Sequence, residues 1–367
     1  MGRFIERPNR FTVIVDTPHG RVKAHCANPG RLQELLTPEV EVILEKSAHP
    51  DRKTAWTLAA VLFQGKVVPL ISARANRIAS ALVLPTLFPK ASIIKAEYSI
   101  GHSRFDFLAS IPDERQALVE VKSCTLSARG RAMFPDAPTE RGLRHIQHLE
   151  SIARSDPSIE GHVIFMLHHP DTLRFTPNIH TDQEFSIALR RISRRLHLHA
   201  VSLKCSLDGI CSIENPEIPF DFVPVRFAEE NRGAYLLVIF LAASATIKVG
   251  ALGEIAFAPG YYVYAGSAKA NLSSRVQRHL RKKSKRLHWH IDYLRAYAET
   301  VKALPIYTGQ DIECEIAASI QYIGGLPIKN FGSSDCNCSS HLFLFPENPL
   351  RNPRFHDLLL KFRHTRI

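Results

Sequence analysis

The residues with the clearest chemical potential are two carboxylates and a lysine near the middle of the chain. Glu120 and Lys122 lie in a stretch of alternating polar and apolar residues, and Asp106 lies in a similar stretch before it. Side chains alternate between the two faces of a β-strand, so Glu120 and Lys122 should project to the same side. If Asp106 occupies an adjacent antiparallel strand, its carboxylate meets Glu120. Neighbouring carboxylates repel each other unless a cation neutralises them, and Mg²⁺ prefers oxygen ligands.

This grouping predicts a site where Mg²⁺ or Mn²⁺ supports cleavage of a phosphodiester bond. Lys122 would hold a phosphate oxygen or help to orient the attacking water. Glu97, on the preceding predicted strand, is a further candidate metal ligand. Taken alone, however, such a pattern is more often a surface salt bridge on a β-hairpin.

The surrounding pattern predicts the elements that would position these residues. Short β-like runs separated by turns before residue 85 indicate a small barrel, with strands at 11–15, 21–25, 40–44 and 54–58 and a short helix at 31–36. A mixed α/β pattern follows, with strands at 93–100, 105–110, 117–123 and 163–168. Its helices are predicted at 140–154, with Thr139 as N-cap, and at 182–196. Residues 215–231 are predicted to be a linker.

Composition favours a polyanionic partner. The 367 residues carry 47 Lys and Arg against 35 Asp and Glu, a net charge of +12. Such an excess attracts nucleic acid or anionic lipid, although solubility alone is an alternative explanation. The longest apolar run, 234–243, is shorter than the roughly 20 residues of a membrane-spanning helix. Seven scattered cysteines and the lack of a secretory signal predict a cytoplasmic protein with mostly reduced thiols.

Several long strings in residues 1–225 closely resemble the sugar fermentation stimulation protein family. They are Arg7-Pro-Asn-Arg-Phe11, His25-Cys-Ala-Asn-Pro-Gly-Arg-Leu32, Ser103-Arg-Phe-Asp-Phe107, Glu120-Val-Lys-Ser-Cys-Thr-Leu126 and Phe134-Pro-Asp-Ala-Pro-Thr-Glu-Arg-Gly142. The resemblance implies an OB-like barrel over 1–85 and a restriction-endonuclease-like α/β core, of the PD-(D/E)xK type, over 86–225. It also implies DNA binding, and it maps the acidic–lysine pattern of the core onto Asp106, Glu120 and Lys122.

Basic and amide side chains near the predicted turns are candidates for phosphate contacts. In the barrel these are Arg7, Asn9, Arg10, Asn28 and Arg31, and in the core they are Arg104, Arg141 and His145. Arg141 and His145 are one helical turn apart and share a face. A solvated helix face is an equally good interpretation of that pair.

A third unit over 232–367 begins with two tyrosine motifs. Gly233-Ala-Tyr235 opens a predicted strand at 236–241, and Tyr264-Ala-Gly266 lies within another at 261–267. A predicted helix at 271–282 places Arg275, Arg278 and His279 on one face. It leads into a cationic run at 281–286 beside His288-Trp289-His290. This composition is typical of a nucleic-acid surface, and a solvated charge run is the alternative.

The tyrosine motifs resemble the GIY-YIG endonuclease-like superfamily. The resemblance implies an α+β domain in which Tyr235 and Tyr264 lie beside the attacking water, Arg275 contacts phosphate, and Glu313 holds a metal ion. The gap between the motifs is longer than usual, which predicts an added hairpin around 250–260.

A cysteine-rich segment near the C-terminal end predicts a candidate zinc site. Cys336, Cys338 and His341 lie close together, and Cys314 lies upstream, which makes three sulfurs and one imidazole. The spacing between Cys336 and Cys338 is short for two ligands of one ion. Ordinary buried thiols are the alternative.

The sequence therefore predicts a DNA-binding protein of mixed α/β and α+β domains with two nuclease-type sites. Single- and double-stranded DNA are both candidate partners. The main alternative is a non-catalytic DNA-binding regulator of sugar-utilisation genes. An RNA-acting nuclease is another, because nothing in the sequence reads the 2′-hydroxyl group. A sugar-metabolising enzyme is disfavoured, since the basic balance does not suit small neutral substrates.

Overall fold

The computed structural model describes residues 1–47, 54–281 and 287–364. Within it the chain divides into two units, Met1–Phe222 and Val223–Ile367. Apart from Arg281, the predicted cationic run lies outside the described residues. Among the described residues, no helix is both long enough and apolar enough to cross a membrane.

The first unit begins with a closed barrel in the strand order β3-β2-β1-β4-β5. Its strands are β1 (Gly2–Asn9), β2 (Thr12–Thr17), β3 (Gly20–His25), β4 (Glu41–Lys46) and β5 (Trp56–Phe63). Parallel pairing of β3 with β5 closes the barrel around a core that includes Phe4, Val13 and Leu58. The predicted helix at 31–36 is wrong. Leu32 adopts a left-handed conformation with φ of 52°, and residues 33–35 form a turn.

The barrel is followed in the first unit by a sheet that helices cover on both faces. Its strands are β6 (Lys66–Pro69), β7 (Ile93–Ile100), β8 (Ser103–Ser110), β9 (Gln116–Cys124), β12 (Ile159–Leu167), β14 (His197–Cys205) and β15 (Cys211–Asn215). A small separate sheet contains β10 (Leu126–Ala128), β11 (Arg131–Phe134) and β13 (Arg174–Pro177). The helices are α1 (Ala75–Ile78), α2 (Leu84–Leu87), α3 (Glu140–Ser155) and α4 (Gln183–Ile192), with a π-helical turn between α1 and α2.

Strand order in this sheet explains the apolar character of its centre. The order is β6-β14-β12-β9-β8-β7, with β9, β12 and β14 mutually parallel and β7 and β8 antiparallel. Helices α3 and α4 pack on one face, around Phe165 and Leu189, whereas α1 and α2 pack on the other, around Ile164 and Val119. Parallel strands buried on both faces need apolar residues, as β12 has in its second half, residues 163–167.

Helix α3, which faces the candidate site, is fixed at its start by side chains. Thr139 is the N-cap, and its hydroxyl accepts a hydrogen bond of 3.1 Å from the amide of Gly142. The carboxylate of Asp182 accepts from the amide of Thr139 at 2.8 Å and also caps α4 by accepting from Phe185. The predicted N-cap is confirmed, and one aspartate ties the two helix starts together.

Two further sequence expectations need correction. Cys205 and Cys211 form a disulfide, because antiparallel pairing of β14 and β15 places these residues directly opposite each other. The expectation of reduced thiols is therefore wrong for this pair. The predicted linker at 215–231 is also only partly irregular, since helix α5 (Val223–Glu229) occupies its second half and buries Val225.

The second unit is built on an antiparallel sheet in the order β20-β16-β19-β22-β21. After α5, the strands and helices of this unit are, in chain order, β16 (Gly233–Leu241), β17 (Ala245–Lys248), β18 (Glu254–Phe257), β19 (Gly260–Ala268), α6 (Leu272–Leu280), α7 (His290–Tyr297), β20 (Thr300–Tyr307), α8 (Glu313–Tyr322), β21 (Leu326–Pro327), β22 (Leu342–Phe345) and α9 (Pro353–His364). Strands β17 and β18 form a hairpin between the two tyrosine motifs, as the longer gap predicted. Helices α8 and α9 pack on one face of the sheet, against residues that include Leu236 and Val263.

Replacing Thr139 with alanine removes the N-cap acceptor of α3. We expect the free energy of unfolding to fall by about 1 kcal/mol, because one amide of the first turn loses its partner. Urea unfolding measures this change. Thr86→Ala is the control, since the described hydrogen bond of the Thr86 hydroxyl goes back to the carbonyl of Leu82 within its own helical segment. Equal stability of the two variants would contradict the capping role.

Candidate functional sites

The Asp106 carboxylate occupies a gap between strands β8 and β9. The antiparallel ladder ends at the pair Phe107–Val119, one position short of Asp106 and Glu120. Beyond that pair, Asp106 Oδ2 accepts a hydrogen bond of 2.7 Å from the amide of Val121. Its Oδ1 accepts from Asn76 Nδ2 at 2.6 Å. The side chain thus replaces a backbone carbonyl, and this fixes the carboxylate beside β9.

Glu120 is more deeply buried than Asp106, and two cationic or hydrogen-bonding groups contact it. It is 4% exposed, and its Oε1 contacts both Lys122 Nζ and His145 Nδ1, the latter at 2.9 Å. Glu120 and Lys122 share a face of β9 as predicted, and α3 supplies His145 from above that face. The buried Oε2 of Glu120 has no hydrogen-bond partner among the described residues.

The environment shifts the pKa values of the two carboxylates in opposite directions. Burial and the nearby charge of Glu120 raise the pKa of Asp106. Burial also acts to raise the pKa of Glu120, but Lys122 and His145 outweigh it and the pKa is lowered. Glu120 is therefore the more stable anion of the pair, and Asp106 is the one that takes up a proton first.

The polar atoms of this site are of the type that divalent cations bind. Glu120 Oε2 is buried and unpaired, and a carboxylate oxygen left without a partner in this environment is costly. Each oxygen of Asp106 has one partner and keeps a further lone pair. A hard cation with oxygen ligands would satisfy these atoms and relieve the repulsion between the carboxylates.

Other predicted residues of the core lie at the surface. Glu97 pairs with Arg104 at 3.7 Å, and the two side chains are 65% and 60% exposed. Arg141 is exposed on the first turn of α3. The structure therefore brings His145 to Glu120, whereas the described side-chain contacts of Glu97 and Arg104 are with each other. Asn76 was missed, because no local pattern links the short helix α1 to a strand so far along the chain.

In the barrel, several of the predicted phosphate-binding residues form hydrogen bonds to the backbone of nearby turns. The Arg7 guanidinium donates to the carbonyls of Gly30, Arg31, Arg10 and Asn28 at 2.7 to 2.9 Å. Asn9 and Asn28 each accept from a backbone amide two residues ahead. Arg7, Asn9 and Asn28 thus stabilise the backbone of the turn after β1 and of residues 28–31. The side chains of Arg10 and Arg31 remain on the surface.

Asp136 packs against Gly30 and was not identified from the sequence. A Cβ atom placed on Gly30 would lie 2.0 Å from Asp136 Oδ2, so only glycine permits this approach. That oxygen is buried without a hydrogen-bond partner among the described residues. Burial and the charge of Glu34 raise the pKa of Asp136 to about 6.

In the second unit, Tyr235 begins a buried chain of polar groups. Its hydroxyl lies 3.0 Å from His279 Nε2, and His279 Nδ1 lies 3.5 Å from Asp292. Asp292 is fully buried and also pairs with Arg278 at 2.8 Å. His279 is only 1% exposed, so its ring lies in this chain and not on the surface predicted to contact DNA. Asp292 was missed because its sequence neighbourhood carries no motif.

The other predicted residues of the second unit meet at Ser267. The Ser267 hydroxyl donates to Glu313, and its carbonyl accepts from Arg275 at 2.7 Å. The Arg275 guanidinium also lies 4.8 Å from the centre of the Trp289 ring. Tyr264 and Tyr235 lie with ring centres 6.3 Å apart, on the face of the sheet that α6 covers. An open cleft of about 250 Å³ lies beside Ser267, with Lys269 on its wall.

Burial controls the state of both tyrosines. It raises the pKa of Tyr235 and of Tyr264 well above the ordinary value, and the charge of Glu313 adds to this effect. Both phenols therefore stay protonated at neutral pH and well above it, so each keeps its hydroxyl proton.

The four candidate zinc ligands also come together. The sulfur atoms of Cys314, Cys336 and Cys338 and one ring nitrogen of His341 all lie within 4.8 Å of one another. Cys314 is exposed, and Cys336 and Cys338 are partly exposed. These thiols are therefore not ordinary buried core residues.

Comparison with known proteins identifies the family. The model of the SfsA N-terminal OB domain matches residues 5–70, and that of the sugar fermentation stimulation protein RE domain matches residues 73–209. A sugar fermentation stimulation protein homolog from Methanothermobacter thermautotrophicus is 43% identical over 193 residues, which cover 52% of this chain and 79% of that protein. The chain belongs to the sugar fermentation stimulation protein family.

Further comparisons agree with this result. The homolog from Natranaerobius thermophilus is 38% identical over 194 residues, which cover 51% of this chain and 80% of that protein. The solved structure of SfsA from Pyrococcus furiosus in complex with Ca²⁺ has a TM-score of 0.54 and 26% identity. That match covers 60% of this chain and 94% of the solved one. The predicted barrel and α/β core are confirmed.

The second unit matches a different model. Residues 234–363 match the domain of unknown function DUF123. This unit has the GIY-YIG-like α+β fold that the tyrosine motifs predicted.

Asp136 makes the stability of the first unit depend on pH. Its pKa is near 3.8 in the unfolded chain and about 6 in the folded protein. The stabilisation that it contributes at low pH is therefore lost as the pH rises through about 6. Asp136→Asn cannot ionise, so we expect it to be more stable than the wild type by about 2 kcal/mol at pH 7 and similar at pH 4.

Urea unfolding at several pH values tests this expectation. Asp113→Asn is the matched control, because the Asp113 carboxylate is 82% exposed and pairs only with Arg115 among its described contacts. A stability difference for Asp136→Asn that is the same at every pH would show that ionisation of this carboxyl is not responsible.

Proposed function

We propose that this protein binds DNA and cleaves its phosphodiester bonds with Mg²⁺ or Mn²⁺ held by Asp106 and Glu120. The observation that carries the proposal is that Glu120 Oε2 is buried and has no partner among the described residues, whereas Lys122 and His145 both contact Oε1. The charge of Glu120 also raises the pKa of a second carboxylate, Asp106. The relative from Pyrococcus furiosus was solved in complex with Ca²⁺, a cation that also prefers oxygen ligands. That observation supports a divalent cation in this family.

The side chains around the carboxylates have distinct roles in this reaction. A bound Mg²⁺ would stabilise charge on the phosphate and make water a better nucleophile. The Lys122 ammonium group, which contacts Glu120, would move to a phosphate oxygen and offset the negative charge of the phosphate. His145 donates to Glu120 Oε1 and would leave the other oxygen available to hold the cation. Asn76 and the amide of Val121 hold Asp106 in the same way.

The basic surface would provide affinity for the polyanion. The net charge of +12 favours binding that weakens steeply with salt, because phosphate contacts release counterions. Arg10, Arg31, Arg104 and Arg141 have exposed side chains and would take part.

The second unit would supply a second nuclease-type site. Glu313 is the candidate metal ligand, Arg275 would contact phosphate, and the two protonated phenols would orient a water. The cleft beside Ser267 would receive the phosphate group, with Lys269 on its wall.

Incubation of the full-length protein with DNA or RNA, single- or double-stranded, tests the proposal. We expect cleavage of DNA with Mg²⁺ or Mn²⁺ and none with a chelator. Glu120→Gln should slow cleavage by about 100-fold or more, because loss of its charge weakens both the cation site and the hold on Lys122. DNA affinity should stay within a few fold and fall as salt rises.

Variants separate this proposal from its alternatives. Glu114→Gln is the matched control, because Glu114 is exposed in a turn between β8 and β9. Tyr264→Phe reports on the second unit, since it removes one phenol with little change in shape. Salt-sensitive DNA binding without cleavage under any metal condition would instead support a non-catalytic regulator. Cleavage confined to RNA would support an RNA-acting nuclease.

A further inference from the structure

A cluster of thiols in the second unit lies next to its candidate active site. Three of the four residues come from the loop between β21 and β22, and the fourth, Cys314, lies in the first turn of α8. The loop is shaped by backbone hydrogen bonds, including Asn330 to Ser339 and His341 to Phe331. These bonds bring Cys336 and His341 back towards α8.

Distances within the cluster fit a tetrahedral zinc ion. Zinc binds sulfur at about 2.3 Å and nitrogen at about 2.0–2.1 Å, so the ligand atoms around one ion lie about 3.5–3.8 Å apart. Cys336 Sγ lies 3.4 Å from His341 Nε2, and all four ligand atoms are within 4.8 Å of one another. Small side-chain adjustments would bring these atoms to the tetrahedral distances.

The hydrogen bonds of His341 place its ring as a metal ligand. Its Nδ1 lies 2.9 Å from Glu313 Oε1, so this nitrogen donates its proton to the carboxylate. The lone pair of Nε2 then faces the sulfur atoms. Metal-binding histidines have this arrangement, in which a carboxylate accepts from one ring nitrogen and the other binds the ion.

We propose that Cys314, Cys336, Cys338 and His341 bind one zinc ion, and that this ion fixes Glu313 through the His341 imidazole. The part concerning Glu313 rests on the proposed function of the second unit. Glu313 would be held between His341 on one side and Ser267 on the other. Zinc would then be structural, with four protein ligands and no open position for water.

The loop also contacts the candidate site at a second point. A Cβ atom placed on Gly332 would lie 3.1 Å from the Tyr264 ring and 3.4 Å from His341, so the loop packs closely on this tyrosine. By linking the loop to α8, zinc would therefore fix the position of both the Tyr264 ring and the Glu313 carboxylate.

Metal content of the full-length protein tests the first part of the proposal. We expect about one zinc per chain, retained through dialysis, and the visible absorption bands of a tetrahedral thiolate complex after replacement by Co²⁺. Cys336→Ser and Cys338→Ser should lose the ion. Cys26→Ser is the matched control, because Cys26 lies in the barrel core.

A second group of side chains could hold a metal and needs its own control. Glu160, His162 and His197 also come within 4.8 Å of one another in the first unit. His197→Ala should leave the zinc content unchanged. Zinc that stays in Cys336→Ser and disappears in His197→Ala would overturn the assignment, as would a wild-type protein that takes up no zinc.

Zinc affinity, measured by competition with a chelator, tests the link to Glu313. Glu313→Ala should weaken zinc binding about 10-fold or more, because the imidazole loses the acceptor that orients it. Glu313→Gln should largely restore affinity, since its amide oxygen can accept the same proton. Glu315→Ala is the control on the same helix, where the carboxylate contacts Lys361 at 3.8 Å.

Equal zinc affinity in Glu313→Ala and the wild type would overturn the link. This readout does not depend on nuclease activity. A failure of the zinc proposal is therefore distinguishable from a failure of the proposed function.

Discussion

The negative charge of Glu120, buried against Lys122 and His145, is the constraint on which the central site depends. A carboxylate at 4% exposure is stable only if cationic or hydrogen-bonding groups surround it. Among the described residues these groups contact one oxygen, Oε1, and come from β9 and from α3. The other oxygen has no hydrogen-bond partner among the described residues, and the charge of Glu120, together with burial, raises the pKa of a second carboxylate, Asp106. The arrangement is a partly neutralised anionic site, and the proposed divalent cation would complete it.

Most of the fold could be predicted from periodicity and turn residues. Strand alternation placed Glu120 and Lys122 on one face, and the antiparallel pairing of β8 with β9 brought Asp106 beside them. Thr139 was predicted as a cap because a hydroxyl before a helical pattern satisfies the first amides. The helix at 31–36 failed for a local reason, since Leu32 has a left-handed conformation that no propensity scale indicates.

What the sequence could not predict are contacts made between elements distant along the chain. Asn76 and Asp106 meet only after α1 packs on the sheet. Arg7 was predicted to bind phosphate, yet its guanidinium donates to four backbone carbonyls, one in the turn after β1 and three within residues 28–31. His279 lies on the predicted face of α6, but that face packs against β16 and not against solvent. Residue types indicate which chemistry is available, whereas packing decides whether a side chain serves the site or the scaffold.

Calorimetric titration of Mg²⁺ into the full-length protein tests the central claim most directly. The account predicts that Asp106→Asn and Glu120→Gln each lose one equivalent of Mg²⁺ binding relative to the wild type, while Glu114→Gln retains it. Measuring the difference between variants excludes any ion held by the second unit. Identical Mg²⁺ uptake in the wild type and in Glu120→Gln would contradict the account.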